Sequence, residues 1–593
     1  MRCCDAPDTA LPGQDALALL EPQAAEAIKF FNAKQYPEAE AQALKLLDLA
    51  PNLRQALRVI FEIRKAENKA KTAEILARRL AGLPGANNVV AAANIQLAQL
   101  VIGQGRYADA LESAGRAVVA TPRDPTAHHV MGVVLTETGK LAGGERHYRR
   151  ATALLGREDG LVLANLAWNL KLQGRLEEAA TLYSQALMLR ADNKRAVGGF
   201  AQTVFARGAR AQALSIIDEG LSRWPDERTL RLLRALADLA AGDAAAVLAR
   251  LSDAPENLLP AELCVRGQAL AREGKAVEAV MHYATAKRIQ RERNGMSYKP
   301  EPFQARFDTY KAYFQSDRTQ PLPRAAVATG PQPIFILGFP RSGTSLLEQL
   351  LAQIPGIVPG DEAAPIADLT DAVAAMTGKA YPEGLDQLLI GDGFGLPDRL
   401  RTDYEAPRAA LGLHKRGVNF VTDRSGSNVW HLGLIKLLYP DAPILHLLRH
   451  PYDVALSNLS QDRRMEAGAE TSLVAAAKHY ALHMEMLKFY RGQLTLRYHA
   501  LRYEDLVQTP QAAMRAVLDF LGLATAVPPA EKLLANDARI PIPTPSHYAV
   551  REAIHERGLY RHLGYRESAP NLFSEVAPIL KPWIESLGYG DAP

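Results

Sequence analysis

PIFILGFPRSGTSLLEQLLAQ, residues 333–353, decides how this 593-residue chain is read. Pro333–Leu337 is a short apolar, β-prone run, Gly338–Ser345 is a glycine-bearing stretch, and Leu346, Leu347, Leu350 and Leu351 have the spacing of a buried helix face. The order predicts strand, tight loop, helix. Successive backbone N–H groups in such a loop, with the positive end of the following helix, form an anion cradle, and the hydroxyls of Ser342, Thr344 and Ser345 add donors. Gly338 and Gly343 are placed as in GxxxxGK[ST], but Thr344 stands where that motif has the lysine that reaches the outer phosphates of a nucleoside triphosphate. Kinase and ATPase chemistry is therefore disfavoured. Arg341 still offers a planar, permanently charged donor set to a phosphate-type anion.

A second element downstream carries the same chemistry. In APILHLLRHPYDVALSNLS, residues 442–460, the apolar run Ile444–Leu448 predicts a strand ending at Arg449. A helix after Pro451 brings the Ser457 hydroxyl back toward the strand end, where Arg449 and Ser457 can share one phosphate. Taken alone, the segment reads equally as a surface arginine at a strand end and an ordinary helix serine.

With VTDRSGSNVWHLGLIKLLYPDAPILH (421–446) and RYEDLV (502–507) beside them, these motifs resemble the phosphoadenosine phosphosulfate-dependent sulfotransferases, most closely the bacterial repeat-linked members and the related tyrosylprotein sulfotransferases. The resemblance spans about residues 300–570. It implies a P-loop-like α/β domain with a mainly parallel sheet, 3′-phosphoadenosine 5′-phosphosulfate as co-substrate, no metal, and a hydroxyl-bearing acceptor such as a protein tyrosine, a glycan or a small molecule. By the same resemblance Arg341, Ser342, Gly343, Thr344 and Ser345 bind the 5′ end, Arg449 and Ser457 the 3′-phosphate, and Ser546 and Arg557 the nucleotide edge. Glu362, in GDEAAPI, takes the place of the family's base, with Asp361 as its rival, and Arg424 stands where the family has a lysine beside the departing oxygen. Tyr503 and Asp505 are expected to steady the loop around the nucleotide. Ala549, Ala553 and His562 depart from the family's usual Gln, Pro and Trp. These departures keep open a second reading, a repeat scaffold whose nucleotide-binding domain is catalytically weak.

Upstream, small turn residues recur at Gly105, Gly139, Gly174, Gly208, Gly242 and Gly274, in steps of 34, 35, 34, 34 and 32, with Lys34 and Asn68 in the same phase. Twelve residues after the turn come Ala117, Ala151, Ala186 and Ala286, with Gly220 in the equivalent place. Short helix pairs need a residue that relieves the backbone at the turn and a small side chain where the helices approach most closely. The pattern resembles the tetratricopeptide repeat, whose concave face implies a bound peptide or protein; a plain spacer fits the pattern too. His128, His129, His147, Trp168 and Trp224 read as packing or solvent residues.

The expected division is an N-terminal segment (1–24), an all-α repeat solenoid (25–290), a junction (291–332) and the α/β domain (333–593). Phe303, Phe307, Tyr310 and Tyr313 have the spacing of a junction helix that packs on the domain after it. Lys287, Arg288, Arg291 and Arg293 read as a solvated helix face rather than a nucleic-acid contact. A net charge of +4, with 48% hydrophobic and 23% charged residues, argues for ordinary globular domains without a general nucleic-acid footprint. Cys3, Cys4 and Cys264 form no metal-ligand or disulfide pattern. The opening residues lack the pattern of a secretory signal, and no apolar run is long enough to span a bilayer, so a cytoplasmic location is expected.

Overall fold

A computed structural model describes residues 14–294, 297–360, 366–390, 395–462, 466–535 and 556–590. The chain divides into two compact units, Met1–Arg207 and Gly208–Pro593.

The first unit consists of antiparallel helix pairs, among them Tyr107–Ala120 with Pro125–Glu137, and Gly160–Leu172 with Leu176–Leu189. The positions picked out by the period adopt the left-handed backbone: Lys34, Asn68, Gly105, Gly139 and Gly174 have φ of 62°, 56°, 74°, 82° and 78°. Side chains resist that region by about 1–2 kcal/mol and glycine does not, which is why glycine recurs there. Ala117, Ala151 and Ala186 are fully buried, as the close approach of paired helices requires. Gly132 serves the same packing, because a Cβ there would stand 2.7 Å from the Tyr148 ring. Between successive pairs run repeated ion pairs. Glu74 binds Arg78 and Arg106, both at 2.7 Å, and Glu145 binds Arg149 at 2.7 Å and Arg175 at 2.8 Å.

The second unit begins with helices of the same kind, from Arg210–Arg223 to Ala276–Asn294, and continues into a parallel sheet. Its strands are β1 (Gln332–Leu337), β2 (Ile357–Val358), β3 (Phe420–Asp423), β4 (Ile444–Leu448) and β5 (Tyr498–Arg502), in the order β2-β3-β1-β4-β5. Phe335 of β1 pairs with Asp423 of β3 on one side and Ile444 of β4 on the other. β1 is covered on both faces, so its run of apolar residues is continuous rather than alternating. Ile334 and Ile336 join Leu347, Leu350 and Leu351 of the Thr344–Ala352 helix, while Phe335 and Leu337 join the opposite cluster. That second cluster includes Phe303, Phe307, Tyr310 and Tyr313 of the Glu301–Tyr313 helix, the packing their spacing predicts. The next residue, Phe314, lies so close over Gly433 that a side chain there would collide with its ring.

A third cluster joins the last repeat helices to the sheet region. Leu270, Ala276, Ala279 and Tyr283 pack with Phe339, Tyr452, Leu456, Tyr565 and Phe573. Gln268 Nε2 donates to the Ser460 carbonyl at 2.9 Å and Lys287 Nζ to that of Gln461 at 2.6 Å. Lys287 thus departs from the expected solvated face: it is 1% exposed, and burial lowers its pKa. Arg288 keeps the solvated role, paired with Glu292.

Candidate active site

β1, β3 and β4 are neighbours, and the segments that follow them, from Gly338, Arg424 and Arg449, leave the same edge of the sheet. In open parallel sheets the crevice outside the carboxyl ends of the strands, where connections diverge, is the place that binds ligands. The loop after β1 is tight. A Cβ on Gly338 would stand 3.0 Å from the Leu447 carbonyl oxygen, and Gly343 has φ 101°. Arg341 has φ 79° without being glycine, a conformation that costs an ordinary residue about 1–2 kcal/mol and must be held by its surroundings.

The holding contacts come from the segment after β4. Arg341 Nε donates to Ser457 Oγ at 3.2 Å, Arg449 Nη1 donates to the Arg341 carbonyl at 3.0 Å, and Asn458 Nδ2 donates to the Pro340 carbonyl at 2.9 Å. The Pro451–Leu459 helix therefore brings Ser457 to the loop. Ser342, Arg449 and Ser457 are buried, while Gly343, Thr344 and Ser345 are half-buried at the start of the Thr344–Ala352 helix. Arg449 Nη2 donates to the Gly558 carbonyl at 2.5 Å, and its buried Nε has no hydrogen-bond partner among the described residues.

Tyr503 sits between these pieces. Its ring fills the space beside Gly343, where a Cβ would come within 2.5 Å, and lies 4.6 Å from the Arg449 guanidinium. This matches the role expected of it. Asp505 does not share that role: it is exposed, and the buried carboxylate of the segment is Glu504, which accepts from His450 N and from the Tyr589 hydroxyl, each at 3.0 Å. Burial pushes the Glu504 carboxyl up, against the opposing effect of the His450 N–H. In the short Tyr503–Gln508 helix, successive acidic residues face different ways, and only packing against Tyr589 selects between them.

After β3, Asp423 closes a turn. It accepts from Asn428 Nδ2 at 2.8 Å, Ser425 N at 3.0 Å and the Tyr404 hydroxyl at 2.7 Å. Arg424 is buried, with Nε donating to Glu348 Oε2 at 2.7 Å. Glu348 also accepts from Thr422 Oγ1 at 2.5 Å, and Thr422 Oγ1 in turn accepts from Gly360 N at 3.0 Å. The chain entering the GDE segment is thereby fixed to the end of β3. Asp361, Glu362, Ser546, Ala549 and Ala553 lie outside the described residues. Glu348 was not singled out in the sequence; its signal was its place four residues after Thr344, one helical turn beyond the anion loop.

On the far side His562 donates its backbone N–H to Asp453 Oδ1 at 2.8 Å, with its Nδ1 2.9 Å from the same oxygen, and stacks on His450 at 3.9 Å. Burial alone would raise the Asp453 carboxyl, but the bonds from His562 and the charge of Arg449 hold it low. His450 is pushed down to about 3 by burial and by His562. Arg557 is exposed, with Nη1 3.8 Å from where a Cβ on Gly242 would stand, while its neighbour Gly558 meets Arg449.

Residues 333–527, which hold all five strands but for Gln332, match the sulfotransferase family. The sheet region is a sulfotransferase-family domain. Residues 170–237 match the tetratricopeptide repeat, so the sulfotransferase domain follows a repeat region. Among curated proteins, an uncharacterized protein of Aquifex aeolicus is 28% identical over 255 residues, 40% of this chain and 31% of that protein. The nodulation protein NoeE of Sinorhizobium fredii is 30% identical over 210 residues, 32% of this chain and 49% of that protein. The chain thus matches less than half the length of either relative. Similar solved structures include the type IV pilus biogenesis factor PilW (18% identity, TM-score 0.32, 36% of this chain and 98% of that one). Another is pilF of Pseudomonas aeruginosa (19% identity, TM-score 0.29, 37% of this chain and 99% of that one). Among the described residues no helix is long and apolar enough to cross a membrane, and no group of three or more His, Cys, Asp or Glu is placed to hold a metal ion.

Proposed function

We propose that this chain transfers a sulfuryl group from 3′-phosphoadenosine 5′-phosphosulfate to a hydroxyl acceptor, in the manner of the tyrosylprotein sulfotransferases it resembles. The observation that carries the reading is the joining of two anion-binding segments 116 residues apart, through Arg341 and Ser457, at the end of adjacent strands. In this reading Arg341 and the Ser342–Ser345 backbone hold the 5′-phosphosulfate, and Arg449 with Ser457 hold the 3′-phosphate. Ser546 and Arg557 contribute at the nucleotide edge. Glu362 takes the proton of the attacking hydroxyl as the acceptor oxygen bonds to sulfur. The bond from sulfur to the bridging phosphate oxygen breaks, and Arg341 and Arg424 balance the charge left there. The products are the sulfated acceptor and adenosine 3′,5′-bisphosphate. The repeats offer the acceptor or a partner protein a docking surface, and the proposed location is the cytoplasm.

The test is calorimetric. Arg449→Ala and Ser457→Ala are expected to weaken adenosine 3′,5′-bisphosphate by an order of magnitude or more, because a charge-assisted phosphate contact is worth about 1.5–3 kcal/mol, and to weaken adenosine 5′-monophosphate by a clearly smaller factor, through the loss of their bonds to Arg341. Equal losses for both nucleotides overturn the 3′-phosphate assignment. One observation favours the catalytically weak alternative: the Arg424 guanidinium is committed through Nε to a buried carboxylate, Glu348, so less of its charge faces a leaving group. Transfer of labelled sulfate into whole-cell extract decides between the two.

A further inference from the structure

Arg306 lies on the Glu301–Tyr313 helix, half-buried, with its guanidinium carbon 5.2 Å from the centre of the Phe303 ring and 5.7 Å from that of Trp430. It makes no hydrogen bond or ion pair with any described residue, whereas Arg318 and Arg401, which also lie over aromatic rings, are paired with Asp386 and Asp398. A guanidinium laid on two rings keeps its positive charge and the hydrogen-bonding edge of its fork, while the rings strip water from its faces.

Two histidines complete the surroundings. His431, at the end of the Asn428–His431 turn that follows Arg424, is 4% exposed, and His479, on the Leu473–Gln493 helix, is 6% exposed; the Nδ1 of each is buried and has no hydrogen-bond partner among the described residues. Burial, reinforced by the charge of Arg306, holds them neutral, His431 down to about 3 and His479 to about 4. The hydroxyl of Tyr381, whose ring lies 5.9 Å from that of His431, is likewise buried and unpartnered. A cation with no ion-pair partner among the described residues stands here near neutral groups able to donate hydrogen bonds, an arrangement suited to a planar oxyanion. The cluster adjoins the phosphate loop: the His479 ring is 5.1 Å from Phe303 and 5.9 Å from Phe339, two residues before Arg341.

We propose that this cluster is an acceptor subsite that binds a carboxylate carried by the molecule to be sulfated, with Arg306 as the specificity residue and His431 and His479 as neutral hydrogen-bonding partners. The inference rests on the transferase reading above, since it gives the occupant its hydroxyl. The acceptor is accordingly a hydroxy acid or an acidic hydroxyl-bearing polymer rather than a neutral sugar.

The experiment uses the full chain and a matched pair of probes, 4-hydroxyphenylacetate and its neutral amide, titrated with and without saturating adenosine 3′,5′-bisphosphate. The wild-type protein is expected to favour the carboxylate by about tenfold, in keeping with a charge-assisted bidentate contact. Arg306→Gln is expected to reduce the preference to less than about threefold, and Arg306→Lys to retain part of it, both with unchanged bisphosphate affinity and thermal midpoint. Equal binding of acid and amide by the wild type, absence of binding by either probe, or a preference that survives Arg306→Gln overturns the proposal. Failure of the bisphosphate to bind, with carboxylate preference intact in the nucleotide-free titration, overturns the transferase reading and leaves the anion subsite standing.

Discussion

In the first unit Glu145 reaches Arg175 30 residues away, and Glu74 makes the same kind of bridge to Arg106 32 residues away. In the second, Arg341 meets Ser457 116 residues away and Arg449 meets Gly558 109 residues away. The repeat contacts are short-range, half-buried and made many times over, so each one matters little. Those of the sulfotransferase domain are long-range, buried and made once. Stability and function should therefore respond to damage very differently in the two places.

The sharpest break is truncation. A fragment beginning at Gly208 is expected to fold and bind adenosine 3′,5′-bisphosphate, whereas one beginning at Arg293 loses Leu270, Ala276, Ala279 and Tyr283 from a shared core and is expected to lose cooperative unfolding altogether. Circular dichroism melting and calorimetry check both, and a well-folded, nucleotide-binding 293–593 fragment contradicts the shared-core account. Next comes chemistry. Glu362→Gln is expected to lower single-turnover sulfuryl transfer by roughly 10²- to 10⁴-fold with donor affinity unchanged, and Asp361→Asn much less. The reverse pattern moves the base to Asp361.

Glu348→Ala removes a buried carboxylate from Arg424 and is expected to cost about 3–5 kcal/mol in denaturant unfolding. Glu145→Ala, which opens a half-buried repeat bridge, should cost about 1 kcal/mol. Similar losses from both would erase the contrast. The two units also answer pH at opposite ends. His431 and His479 have folded pKa values pushed below the ordinary 6.5, so the stability they contribute is complete above 6.5 and is lost as pH falls through about 4 and then about 3. Lys171, pushed down to about 8 by burial in the first unit, makes that unit gain stability as pH rises from about 8 toward 10.5. Unfolding midpoints against pH, repeated with His479→Phe and Lys171→Met, should flatten the respective arm. Gly174→Ala is expected to cost about 1–2 kcal/mol in the same denaturant unfolding, for forcing a side chain into the left-handed turn at φ 78°.

What the sequence made legible follows from the same difference in range. The turns at the phase positions could be placed because one local demand, a left-handed residue, recurs down the chain, and Lys34 and Asn68 meet it without being glycine. The strand, loop and helix of 333–353 were legible because they are contiguous. Ser457 could be brought to the loop because a motif eight residues long links it to Arg449. Glu348, Glu504 and Asp453 could not be ranked above other acidic residues, since what distinguishes them is burial against Arg424, Tyr589 and His562. Lys287 was misjudged for the same reason: its helix carries a basic run like any solvated face, and only the Gln461 carbonyl reveals that the lysine turns inward.

That inward lysine makes the end of the repeat array a mechanical part of the sulfotransferase domain. Gln268 and Lys287 grip the carbonyls of Ser460 and Gln461, three and four residues beyond Ser457. A pull on the Ala276–Asn294 helix is thus delivered to the end of the helix that presents the Ser457 hydroxyl, without a slack tether in between to absorb it. A load taken up by these last repeats would be felt as a change in tension at the anion loop itself, in the way that a handle fixed to a frame moves the frame.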